Sequence, residues 1–177
     1  TNTLANELYS RPQSMSCDSN NRLYVTDEHN VMLCDGATSR NRGGFRGDPT
    51  STLSLGSNDG TGLVSRFSTP AGVAVHPMSN DVYVCDRNNN LIRKGLKFVN
   101  ASNETSWSTY AGTVSFLGGY ADGPVSTAQF STPEDIEISK NGIFYIADFD
   151  NNCIRTIVSG IVSTLAGSGW AGSGDKD

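Results

Sequence analysis

One short phrase occurs three times in this chain and constrains the fold more than any other feature. Each copy runs from a tyrosine through a β-branched and a small residue to an aspartate, and an asparagine follows three residues later. The copies begin at Tyr24, Tyr83 and Tyr145, so the repeating unit is about 60 residues long. Such a period is typical of chains that stack copies of one supersecondary unit. Any fold assigned to this chain must therefore contain three equivalent units.

Each unit reads as a set of short antiparallel β-strands. A proline opens a run in which apolar residues alternate, and the three runs carry Met15 and Cys17, Val73 and Val75, and Ile136 and Ile138. Turn residues such as Asn141-Gly142 lead into the tyrosine strand, which makes a hairpin of the first two strands. A third strand follows the aspartate, and a fourth ends near residues 54, 112 and 167. Four short strands per unit, without helical periodicity, predict an all-β chain of β-propeller blades.

The remaining motifs carry a resemblance to a known family. The second and third units contain Asp59-Gly60 and Asp122-Gly123, Arg66-Phe67 and Gln129-Phe130, Pro70 to Val75, Asp148 with Asn151, and Ile154-Arg155. In these motifs the chain resembles the six-bladed propellers of the NHL-repeat family, over essentially its whole length. The first unit matches less well, and we align Leu33-Cys34 with the Ile-Arg motif. Because this scaffold hosts both binding modules and enzymes, the resemblance predicts the fold better than the function.

Three blades are half of the ring that the resemblance implies. The predicted blades span residues 9–56, 67–112 and 130–167, and the segments between them are inter-blade linkers. Three blades alone would leave two open sheet faces, which repeat units bury against neighbours. We therefore expect the ring to be completed by a second copy in a homo-oligomer, by further blades of a longer polypeptide, or by another protein.

Charge and hydropathy exclude some functions. The net charge of -5 argues against nucleic acid as a partner, because binding phosphates requires a positive surface. No apolar run approaches the ~20 residues of a membrane span. The sequence also shows no signal peptide, so we expect either a cytoplasmic chain or a mature, secreted one.

Residues that recur in every unit are expected to build the blade. On this criterion a structural turn is formed by Asp27, Asn30, Asp86, Asn89, Asp148 and Asn151. The aspartate can accept hydrogen bonds from the turn backbone, and the asparagine tolerates the left-handed conformation. A metal site is disfavoured, because hard cations need six or more converging oxygens. Arg93 and Arg155, which recur in two units, are expected to pack and pair locally.

Residues that differ between units are the candidates for function. The turns after the second strands give a candidate binding face of Glu28, His29, Arg87, Asn88, Phe149 and Asp150. The opposite face is expected to carry expanded loops between the third and fourth strands. In the first unit, residues 39–48 form a predicted loop that is either a solvated segment or a grip for an anionic partner through Arg40, Arg42 and Arg46. In the second, Asn-x-Ser/Thr acceptors at Asn100 and Asn103 predict glycosylation if the chain is secreted.

Four cysteines, Cys17, Cys34, Cys85 and Cys153, suit either two disulfides or buried thiols, and three complete pairings are possible. Their spacing does not indicate a zinc site. Cys17 and Cys85 occupy strand positions that favour small core residues. The even count, with the glycosylation acceptors, favours an oxidising compartment.

Two functions from different classes remain open. The resemblance includes enzymes: an amidating lyase that holds zinc with several histidines, and lactonases that hold calcium with acidic residues. This chain has only His29 and His76, and it places the acids Asp135 and Glu137 in an innermost strand near the channel. The preferred interpretation is a non-catalytic interaction and scaffold module of an extracellular glycoprotein, without a cofactor, that binds a protein or glycan. The alternative is a calcium- or zinc-dependent propeller enzyme completed by another chain or by missing blades.

Overall fold

The computed structural model describes residues 11–35, 38–43, 56–96, 105–115, 117–167 and 169 of the chain. Within these ranges the regular structure consists of β-strands and of 3-10 turns of three residues each. No helix in the described part of the chain is long and apolar enough to cross a membrane.

The strands form three antiparallel sheets, one for each repeat. The first contains β1 (Pro12–Cys17), β2 (Leu23–Asp27), β3 (Asn30–Asp35) and β4 (Thr38–Gly43). The second contains β5 (Gly60–Thr61), β6 (Pro70–Val75), β7 (Val82–Asp86), β8 (Leu91–Leu96) and β9 (Ser106–Ala111). The third contains β10 (Gly123–Pro124), β11 (Pro133–Ile138), β12 (Phe144–Asp148), β13 (Cys153–Val158) and β14 (Ile161–Gly167).

The all-β propeller prediction is confirmed, with three blades that pack side by side. Four strands of each blade follow one another in sheet order, as expected. The second and third blades also gain a two-residue fifth strand, because β5 and β10 in the preceding linkers pair with the outermost strands β9 and β14. Sequence patterns could not indicate these strands, since two residues carry no periodicity.

The first blade departs from its predicted alignment. Strand pairing sets Val25 opposite Met32, as Val84 lies opposite Arg93. Val31-Met32 therefore occupies the Ile-Arg position, and the alignment with Leu33-Cys34 is wrong by two residues. The fourth strand also lies earlier than expected, at β4, so that only residues 36–37 connect it to β3.

The shift arises in the turn after the second strand. In the first blade, β3 begins at Asn30, which pairs with Asp27, so the turn contains only Glu28 and His29. The other two blades have a 3-10 turn and a further residue, Asn90 or Asn152, in the left-handed conformation. Asn30 is thus not equivalent to the predicted turn asparagines. The left-handed residue also lies one position later than expected.

Two apolar clusters hold the blades together. One joins Tyr24, Val31 and Leu33 of the first blade to the second blade, where Phe67 meets Trp107 edge to face at 5.0 Å. The other joins the second and third blades, with Tyr83 against Phe144 at 4.7 Å. The core therefore lies between blades, and each sheet buries both of its faces only if it has two neighbours.

A buried ion pair fixes each of the two regular blades to its preceding linker. The carboxylate of Asp86 accepts hydrogen bonds from Arg93 at 2.9 Å, from the Asn89 amide at 2.8 Å and from the main-chain N–H of Ser68 at 2.7 Å. Arg93 reaches on to Asp59 in the linker at 2.8 Å and lies over the ring of Phe67. A single network thus joins the recurring Asp-Gly, Phe, Asp, Asn and Arg motifs.

The third blade repeats this network, and the first does not. Asp148 accepts from Arg155 at 2.7 Å and from Asn151 at 2.8 Å, and Arg155 also binds Asp122. In the first blade the arginine position holds Met32, which is fully buried. Asp27 is buried too, and the main-chain N–H of Arg11 donates to its carboxylate.

We expect Arg93→Met, which copies the residue of the first blade, to lower the free energy of unfolding by about 3–5 kcal/mol at pH 7.5. Burial raises the pKa of Asp86 to about 6, and Arg93 opposes that rise. Without Arg93 the pKa rises further, so the folded protein retains this proton to a higher pH than the unfolded chain does. Stability then falls as pH increases through that window, and the loss is smaller at pH 4.

Chemical denaturation at both pH values measures the effect. Lys140→Met is the control, because Lys140 is exposed in a turn and its replacement is expected to change stability by less than about 0.5 kcal/mol. An equal loss at the two pH values would contradict the assigned role of Asp86.

Candidate functional site

The turns after the second strands lie on one rim of the half-propeller, beside the linkers. In each blade a turn N–H donates to the segment that enters the blade: Glu28 to Arg11, Asn88 to Ser68, and Asp150 to Ser131. The six predicted binding residues, here named the turn rim, are therefore together on this edge: Glu28, His29, Arg87, Asn88, Phe149 and Asp150.

Most of the turn rim is engaged in contacts between or within blades. The N–H of Thr69 donates to His29 Nδ1 at 3.3 Å, and the Asn88 amide donates to the Thr69 hydroxyl at 2.9 Å. Arg87 of the second blade pairs with Glu134 of the third at 3.0 Å. Asp150 accepts a hydrogen bond from the Thr132 hydroxyl. These side chains therefore align neighbouring blades, which limits how many are available to a ligand.

The histidines do not form a shared site. Burial lowers the pKa of His29 below its ordinary value, in keeping with a neutral ring that accepts at Nδ1. His76 lies in the turn before β7, at the opposite end of the blades, where its Nδ1 accepts from the Met78 N–H at 3.3 Å. The chain therefore cannot bring its two imidazoles to one zinc ion.

A cleft opens on the same edge as the turn rim, between the linker that precedes the third blade and the turn of that blade. It has a volume of 320 Å³, and we name it the linker cleft after its lining residues Leu117, Gly118, Gly119, Ser131 and Asn151. The Asn151 amide donates to the Gly119 carbonyl at 2.8 Å and fixes the linker against the third blade. Leu117 is 95% exposed at the cleft, whereas Asn151 is buried. The linker cleft thus combines a fixed backbone with one large apolar side chain in solvent.

The two inner-strand acids also occupy distinctive positions. Asp135 and Glu137 alternate along β11 and are both exposed. Gly72, at the equivalent position of the second blade, leaves no room for a side chain, because a Cβ there would lie 2.6 Å from the Cα of Asp135. In the described part of the chain no three His, Cys, Asp or Glu side chains are grouped as metal ligands.

The structure changes the predicted basic loop. Arg40 and Arg42 belong to strand β4, because the fourth strand of this blade begins at Thr38. The expected loop of residues 39–48 is therefore wrong in its first half, and Arg46 lies outside the described residues, as do the glycosylation acceptors Asn100 and Asn103.

All four cysteines are free thiols, so of the two alternatives left open by the sequence the structure favours thiols over two disulfides. Cys17 and Cys34 lie on β1 and β3, which β2 separates, and Cys85 and Cys153 belong to different blades. Cys85 is a buried core residue as predicted, and burial raises the pKa of its thiol well above the ordinary value. Cys17 is exposed instead, because it faces outward from the first blade.

Comparison with known proteins agrees with this architecture. The NHL-repeat profile matches residues 67–94, which include Phe67 and strands β6 and β7. The second blade therefore contains an NHL repeat. A relative of this NHL-repeat chain is the chloroplastic protein SUPPRESSOR OF QUENCHING 1 of Arabidopsis thaliana, 32% identical over 141 residues. The match covers 76% of the chain and 12% of the length of that protein.

Solved structures share the fold of the NHL-repeat chain at low identity. A structural genomics protein of unknown function from Bacteroides thetaiotaomicron is 21% identical and superposes with a TM-score of 0.64. The match covers 92% of this chain and 37% of that protein's chain. An auxiliary nutrient binding protein from Bacteroides ovatus is 17% identical and superposes with a TM-score of 0.61. The match covers 88% of this chain and 36% of that protein's chain. In both cases the chain corresponds to roughly a third of a longer protein.

Sequence patterns located the turn rim and missed the linker cleft. The repeat marks the turns, whereas Leu117 belongs to a linker without periodicity. Its signal in the sequence is weak: an apolar residue before Gly118-Gly119, where the glycines pack closely against Ser131 and Gln129.

Leu117→Ser is expected to change the free energy of unfolding by less than about 0.5 kcal/mol, because the side chain is almost wholly in solvent. Phe130→Ala, in the adjacent core, should cost about 3–5 kcal/mol. Thermal or chemical denaturation compares the two. A large loss for Leu117→Ser would mean that this leucine serves the fold and not a ligand.

Proposed function

We propose that this NHL-repeat chain is a non-catalytic interaction module that binds a protein partner through the linker cleft. The observation that supports this proposal most directly is the exposure of Leu117. Its side chain is 95% exposed beside a cleft of 320 Å³ whose backbone is fixed. Concave sites that combine apolar surface with a few polar groups are the usual places for ligands. Here the polar group is the half-buried Ser131.

A protein partner fits the cleft better than a charged ligand does. The lining offers one leucine, glycine backbone and neutral side chains, and no charged group. An apolar side chain of a partner could bury Leu117 and contribute about 1.5–3 kcal/mol. The net charge of -5 adds repulsion towards other anionic molecules, nucleic acids among them.

Affinity capture tests this proposal. The wild-type chain, Leu117→Ser and Met78→Ser would be compared as baits by quantitative mass spectrometry. Met78 is a matched control, because it is 70% exposed but lies at the opposite end of the blades. We expect at least one protein to be retained by the wild type and Met78→Ser and lost with Leu117→Ser. Equal recovery of every captured protein by all three baits would contradict the proposal. Selective binding to a glycan array would indicate that the ligand is a glycan instead of a protein.

The competing function is a metal-dependent lyase or hydrolase completed by further blades. The observation that favours it is the pair of exposed carboxylates, Asp135 and Glu137, on the innermost strand. Hard cations prefer such ligands, but need several more oxygens than this pair supplies. An enzyme of this kind should retain zinc or calcium in stoichiometric amount, whereas the interaction module should bind its partner equally well in the presence of a chelator.

An extracellular location is a further part of the proposal. It is supported by the two acceptor sequences at Asn100 and Asn103. If the chain is secreted, glycosidase should reduce the mass of the native protein, and the double change Asn100→Gln/Asn103→Gln should abolish that reduction. A native mass equal to that of the bare chain would count against secretion.

A further inference from the structure

The residue before the opening proline of the second and third blades has an unfavourable backbone conformation. Thr69 and Thr132 have φ angles of 53° and 54°, in the left-handed region that a β-branched residue rarely adopts. Such a conformation persists only where surrounding contacts hold it. Both threonines lie beside the turn rim, where one blade meets the next.

The main-chain N–H of each threonine donates to the turn of the preceding blade, but the two acceptors differ. Thr132 donates to the side-chain oxygen of Asn90 at 2.7 Å. Thr69 donates to His29 Nδ1 at 3.3 Å. The shorter turn of the first blade thus supplies an imidazole where the longer turn of the second supplies an amide. An amide oxygen accepts at every physiological pH, whereas an imidazole loses its acceptor when it is protonated.

The contact at His29 requires the neutral ring. Burial lowers the pKa of His29 below its ordinary value, and the adjacent Glu28 carboxylate opposes this change. Asp27, at the start of the same turn, is fully buried. On the second blade the facing groups are neutral, because the Thr69 hydroxyl accepts from the Asn88 amide. The contact is therefore complete at neutral pH and is lost as pH falls through the pKa of the folded histidine.

Other ionisable groups near this contact have equivalents at the next interface. Ser68, which precedes the first of the two threonines, donates its N–H to buried Asp86 at 2.7 Å, and Arg87 of the following turn pairs with a glutamate of the third blade. The third blade repeats the serine contact, from Ser131 to Asp148 at 2.7 Å. Burial raises the pKa of both aspartates, so their titration acts on the two interfaces in the same direction. The imidazole is the group that distinguishes them.

We propose that His29 is a pH switch between the first two blades. In acidic solution the imidazole takes up a proton at Nδ1, the Thr69 N–H loses its acceptor, and the left-handed threonine is released. Because the Thr69 hydroxyl also holds the Asn88 amide, this release loosens the turn rim between the first and second blades. The junction of the second and third blades, held by Asn90, stays closed.

Amide hydrogen exchange of the whole chain tests the proposal, followed by NMR from about pH 7.5 to 4.5 and corrected for the intrinsic pH dependence of exchange. We expect the protection of the Thr69 amide to fall by about fivefold, as for the loss of one hydrogen bond, whereas that of Thr132 stays constant. The fall should coincide with the titration of the His29 ring resonances. Leu117→Ser should leave the result at Thr69 unchanged, so this proposal and the one for the linker cleft can fail separately.

His29→Asn gives the first interface the kind of acceptor that Asn90 gives the second. We expect this variant to keep Thr69 protected and to remove the pH dependence. His76→Asn is the matched control, because His76 lies at the opposite end of the blades, and the fall at Thr69 should persist in it. The proposal is overturned by constant protection of Thr69, by equal changes at Thr69 and Thr132, or by a fall that survives His29→Asn. The first two outcomes need only the wild-type chain.

Discussion

The buried aspartate–arginine pair is the interaction on which the regular blades depend. It lies where the second strand ends, and its arginine extends to an aspartate and a phenylalanine of the preceding linker. One charge pair thereby sets the path of the linker, the turn after the second strand and the position of the next apolar cluster. Such a pair adds little stability by itself, because desolvation offsets its attraction, but it strongly penalises any arrangement that separates the charges.

Because the core lies between blades, the outer sheet faces of the first and third blades differ chemically from the rim formed by the turns. A blade in the middle buries Cys85 and Ile92 on one side and Val73 and Val84 on the other. On the outer face of the third blade Ile154 is partly in solvent, whereas on the outer face of the first blade Met15 is exposed and Val25 and Met32 are buried. Four of the six turn-rim side chains make polar contacts within the three blades, and the linker cleft adds Leu117, which is 95% exposed.

The sequence predicts what is repeated and fails where a unit departs from the repeat. Blade number, strand order and the turns at Asp86 and Asp148 follow from periodicity, because each position is constrained three times over. The first blade lacks two residues in its turn, so counting along the sequence misaligned Met32 and extended a loop through Arg40 and Arg42. The linker cleft depends on how Gly118 and Gly119 pack against a neighbouring segment, and no local pattern records such a long-range contact.

The central claim is that the buried aspartate–arginine pair fixes each regular blade to its preceding linker. Amide hydrogen exchange of the wild type and of Arg93→Met tests it most directly, because exchange becomes faster where a main-chain N–H loses its protection. Arg93 donates to the carbonyls of Arg66 and Asn58, and the Arg66 N–H donates to Asn58. The account predicts that the Arg66 amide exchanges faster in Arg93→Met, whereas the equivalent Gln129 amide before the third blade is unchanged. Equal exchange at Arg66 in the two proteins would contradict the claim.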